Sequence, residues 1–175
     1  ADTAARLHEI AALSEQDIQR ARTMLVQEGP TLIAGAPYAQ RIDYLRLLRR
    51  VEVDSGHLRQ AYETNDKILE LAEAEADPLN LALASLARIN RQLDDNDPAS
   101  AMAALETLGA RYRDLDNAEF LAGFEVLNGI GYSAVAQYDR ALQHFQRSLE
   151  IVRAHPGLWS PREADIRLAM ARMYV

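Results

Sequence analysis

Alanine recurs at a spacing of 40 residues, as Ala21, Ala61, Ala101 and Ala141. Three residues before these stand Ile18, Leu58, Pro98 and Tyr138. Four after them stand Leu25, Asn65, Leu105 and Phe145, and eight after them Gly29, Leu69, Gly109 and Leu149. A small residue flanked at helical intervals by mostly large apolar ones is a packing motif. The alanine lets one helix of a hairpin approach the other, and its neighbours fill the layer. The turn residues and prolines follow the same period. A fixed period of roughly 20–50 residues marks a chain of stacked supersecondary units, each unable to bury its apolar face alone.

The punctuation between repeats is helical. Pro37, Pro78, Pro98 and Pro161 each precede an apolar pattern of helical period, where proline loses no hydrogen bond because the first amides of a helix are unpaired anyway. Asp77, Asp97 and Ser160 precede three of them as candidate caps, and Ser160-Pro161-Arg162-Glu163 has the form of a capping box. Ser14 with Asp17 marks a helix start, and Gly29-Pro30 marks a stop. The spacing predicts nine helices, over 3–13, 15–28, 38–54, 57–76, 78–94, 98–114, 118–135, 137–154 and 161–175, with 29–37 as the one long loop. Ala and Leu dominate, aromatics are 6%, and β-branched residues are scarce. The expected fold class is all-α: a right-handed α-solenoid of antiparallel helix hairpins with a period of about 40 residues. Residues 1–175 are expected to form a single helical-repeat domain. The last apolar pattern has no capping helix after it, so the chain is expected to be a piece of a longer protein.

The copy over 124–152 carries a recognisable pattern. Gly129 is followed by Tyr132, then by Tyr138-Asp139-Arg140-Ala141-Leu142, Phe145 and Ser148-Leu149. These residues resemble the tetratricopeptide repeat. The copy around Ala61 departs from it, with Arg49 at the glycine position, and the copy around Ala101 has Ile89 there. The resemblance implies a concave groove lined by the first helix of each hairpin. Arg46 and Arg50 would then face the groove, where two guanidinium groups suit a carboxylate or a phosphorylated group. Asn90, on the next groove helix, is a candidate clamp for the backbone of an extended peptide. Leu86, Leu93, Val126 and Ile130 would make the floor partly apolar.

The remaining observations mostly exclude. His8, His57, His144 and His155 form no ligand spacing, His144 is expected to face solvent, and no nucleophile or phosphate-loop motif is present. No metal, cofactor or catalytic residue is assigned. The run Asp94-Asp95-Asn96-Asp97 lacks the glycine and terminal glutamate of a calcium loop and reads as a capped turn. Leu158, Trp159 and Tyr174 are expected to form either an exposed apolar patch or a staple onto the last helix. A net charge of −7 argues against nucleic-acid binding, and no apolar run is long enough to insert in a membrane. The expected partner is a protein, a peptide or a small ligand, with a homodimer left open. Long-period, Arg- and Ala-rich repeats of this kind resemble the sensory regions of bacterial signalling proteins, such as diguanylate cyclases or kinases. Two readings follow: a non-catalytic sensory or regulatory module, placed in the periplasm, or a cytoplasmic scaffold that holds a partner's peptide or helix in the groove. The absence of cysteine and of an initiating methionine is compatible with the first.

Overall fold

A computed structural model describes residues 2–175. They form nine α-helices and no strand: α1 (Thr3–Ser14), α2 (Ile18–Leu32), α3 (Tyr38–Asp54), α4 (Leu58–Ala74), α5 (Pro78–Asp94), α6 (Pro98–Arg111), α7 (Ala118–Ala134), α8 (Tyr138–Ala154) and α9 (Glu163–Arg172). The starts of α2 to α8 fall at 18, 38, 58, 78, 98, 118 and 138, one helix every 20 residues. The 40-residue alanine period is therefore the period of a helix hairpin, and the fold is an all-α helical repeat.

The cadence is set by the turns. His57, Asp77, Asp97 and Gln137 each send their amide back to a carbonyl five residues earlier, on Glu52, Ala72, Gln92 and Tyr132. The residue before each of these four adopts the left-handed conformation: Gly56 (φ 81°), Ala76 (52°), Asn96 (59°) and Ala136 (59°). This pairing closes the C-terminus of one helix while the next begins. Asp17, Asp97 and Asn117 then cap α2, α6 and α7 by accepting from the amides of Arg20, Ser100 and Phe120. Asp77 does the same for Asn80 at the start of α5.

The chain divides into two compact units, Ala1–Leu81 and Ala82–Val175, with the division inside α5. In the first, α1 packs on α2 and α3, α2 on α3, and α3 on α4. Its core holds Ile10, Ala21, Leu25, Val51, Ala61 and Ile68. The α1–α2 pair is antiparallel, tied by Arg6 to Glu28 and by the Thr3 hydroxyl to the Leu32 carbonyl. In the second unit α6 packs on α7, α7 on α8, and α8 on α9, around Ala101, Leu105, Phe120, Ala141, Phe145 and Ile166. Glu163 on α9 receives Arg153 from α8 and Arg167 from its own helix, and their hydrogen bonds pull its carboxyl down to about 2.

Several boundaries differ from expectation. Gly29-Pro30 does not end α2, which continues to Leu32. Pro30 removes only the bond to the carbonyl of Val26, an exposed residue, and Gly29 serves packing instead of termination: a Cβ there would overlap the Tyr44 ring. Ser14 is the last residue of α1, where its hydroxyl donates to the Ala11 carbonyl, and it does not cap α2; Asp17 does. Ser160 and Pro161 lie outside α9, whose N-cap is Arg162, with the Arg162 amide donating to Asp165 Oδ2 at 2.9 Å. The residues three before each repeat alanine are not core: Leu58 and Tyr138 are the first residues of α4 and α8 and are 48% and 52% exposed.

Candidate functional site

Seen in the 40-residue register, the expected groove residues occupy matching positions on alternate helices. Arg46, Leu86 and Val126 share one position on α3, α5 and α7; Arg50, Asn90 and Ile130 share another, one turn on. In the first unit Arg46 and Arg50 are both half-buried on α3. Arg50 Nη2 donates to Ser14 Oγ on α1 at 3.0 Å. Burial lowers the Arg50 pKa from its ordinary value, while Glu15 and Asp54 nearby work to keep the charge. Arg50 is thus partly engaged in holding α1 to α3.

In the second unit Asn90 is exposed on α5, and Leu93 and Ile130 are half-buried. Leu86 and Val126 are buried in the core. The reason for Leu86 is Gly123: its missing side chain leaves room for Leu86 Cδ1, which lies 3.1 Å from where a Cβ would stand.

Two polar layers inside the hairpins were not foreseen. In α7–α8, Gly129 lies under the Phe145 ring and the Ser148 hydroxyl donates to the Ala122 carbonyl at 2.8 Å. One turn away, Tyr132 stacks on His144, with centroids 5.2 Å apart and planes 9° from parallel. His144 Nδ1 is 2.5 Å from Glu125 Oε2, and the Arg140 guanidinium lies 5.6 Å over the Tyr132 ring. His144 is accordingly held in the hairpin face and does not stand out into solvent.

In α3–α4 the same positions carry polar residues. Arg49 and Asn65 replace the Gly129–Phe145 pair, and Arg49 Nη1 donates to Asn65 Oδ1 at 2.5 Å. Glu52 and Thr64 replace the Tyr132–His144 pair, and the Thr64 hydroxyl donates to Glu52 Oε2 at 2.7 Å. The departure at Arg49 is thus matched by Asn65. The sequence signal was present, since Asn65 is the one polar residue among Leu25, Leu105 and Phe145. A third polar contact ties the start of α3 to the start of α5: Tyr38 donates to Asp77 Oδ2 at 2.6 Å. Burial and Asp77 push the Tyr38 phenol above its ordinary value.

Near Trp159, the Arg162 guanidinium lies 5.8 Å over the indole, whereas Tyr174 is largely exposed. Among the described residues no group of three His, Cys, Asp or Glu converges as a metal site, and no helix is long and apolar enough to cross a membrane. No family model matches the chain, and neither does any curated protein or solved structure.

Proposed function

We propose that this chain is a non-catalytic binding module of the tetratricopeptide type, serving as the sensory or regulatory region of a bacterial signalling protein on the periplasmic side. The observation that carries the reading is the regular hairpin cadence, with Gly129 admitting Phe145 at the positions where the repeat pattern has a small residue and an aromatic. Such a frame presents alternate helices in one register, and side chains in that register can vary without disturbing the hairpin. Here the register offers cationic groups on α3 at Arg46 and Arg50, and an amide with apolar neighbours on α5 and α7 at Asn90, Leu93 and Ile130. The first suits an acidic group of a partner or small ligand, the second an extended backbone. Binding alters the module only through different affinity for two of its states.

The test is an array of acidic and neutral peptides probed with the parent chain and with Arg46→Glu. Arg46 is the better choice, because reversing Arg50 places a carboxylate against Glu15 and Asp54. Loss of acidic-peptide binding with unchanged far-UV circular dichroism supports the reading; equal binding by both proteins rejects the α3 assignment. Reading the complete frame separates the regulatory role from a cytoplasmic scaffold. An output domain supports the first, and further repeats alone support the second.

A further inference from the structure

The first unit encloses a carboxyl group with little to neutralise it. Glu52, near the end of α3, is 4% exposed. Its hydrogen-bond donor among the described residues is the Thr64 hydroxyl, and it forms no ion pair. The charged and titratable groups around it come from every element packed there. Arg22 faces it from α2, Lys67 from α4, His57 from the α3–α4 turn, and the Tyr44 phenol from its own helix. Arg49, one turn back on α3, is bonded to Asn65. On the α1 side the guanidinium of Arg50 meets Ser14, with Glu15 and Asp54 about it.

One neutral hydroxyl cannot replace the hydration shell of a carboxylate, and an ionised group in such a place gains only the longer-range attraction of its cationic neighbours. A protonated carboxyl in the same place still accepts from Thr64 and no longer needs a counter-charge. We propose that Glu52 is a proton switch inside the first unit: the neutral carboxyl closes α3 on α4, and the ionised carboxylate loosens them. The proton is exchanged with water, and no other reactant is needed. Burial raises the carboxyl from its ordinary value, against Thr64, Arg22, Lys67 and His57, which lower it. The stability that Glu52 contributes is therefore full below the ordinary glutamate value of 4.5 and is lost as pH rises through the folded-state midpoint. The switch stands independently of the binding role proposed above.

The experiment uses the whole chain. Carbon-detected NMR follows the Glu52 Cδ through a pH titration in the parent and in Thr64→Val, and thermal melts across the same pH range compare the parent with Glu52→Gln. The expected results are a Glu52 midpoint above 4.5, a further upward move in Thr64→Val, and a parent melting temperature that falls with rising pH relative to Glu52→Gln. The glutamine keeps the shape and the bond from Thr64, so it reports the switch even where Thr64→Val unfolds. A midpoint at or below 4.5, or parallel melting profiles for parent and Glu52→Gln, overturns the proposal.

Discussion

A Cβ built on Gly129 meets three carbons of the Phe145 ring at 2.6, 2.7 and 2.9 Å, and Phe145 is fully buried with no room to retreat. Gly129→Ala therefore forces the α7–α8 hairpin apart. Overpacking of this kind costs roughly 1–3 kcal/mol, more than the roughly 0.8–1 kcal/mol of helix propensity the alanine brings. Chemical denaturation should show a net loss of stability; an unchanged or higher midpoint would mean that the glycine is not needed for close approach. This pair was legible in the sequence because both residues obey the repeat pattern. Arg49 and Asn65 were not, because a pattern of apolar positions treats each polar residue as a separate exception, whereas in the fold they answer each other. The burial of Leu86 was not legible for a related reason. Register alone tells which helix face a residue occupies, but only the packing across that face, here the opening at Gly123, decides whether it is covered.

At the scale of the element, the helices are legible because their ends are chemically marked, and the errors fall where one residue has two uses. Gly29-Pro30 has the composition of a stop, yet the glycine is there for Tyr44 and the helix runs on. Ser160-Pro161 has the composition of a start, yet Arg162 and Asp165 form it. The turns allow a direct test. Ala136 holds φ 59° at the α7–α8 turn, in the conformation that Gly56 takes between α3 and α4. A left-handed residue with a Cβ costs roughly 1–2 kcal/mol, while glycine adds some entropy to the unfolded chain. Ala136→Gly is expected to raise stability by about 1 kcal/mol in equilibrium denaturation, and a loss would show that the alanine methyl makes contacts worth more than the strain. Gly56→Ala should move stability in the opposite direction.

At the scale of the whole chain, the repeat has a longer period than the alanines suggest. A Cβ on Gly29 would strike Tyr44, and a Cβ on Gly109 would strike Phe124, so α2–α3 and α6–α7 are each joined by an aromatic ring seated on a glycine. These two contacts are 80 residues apart. At the intervening register the sequence reads Leu69 and Ala84, so neither the glycine nor the ring is present there. The pattern of large and small thus alternates from one hairpin to the next. The unit that restores the match of glycine to ring is two hairpins and not one. A duplication or loss of 80 residues would rejoin glycine to ring, whereas a loss of 40 would set glycine opposite alanine or leucine opposite phenylalanine, a hole in one case and a collision in the other. A lineage carrying this chain should therefore grow and shrink in double steps.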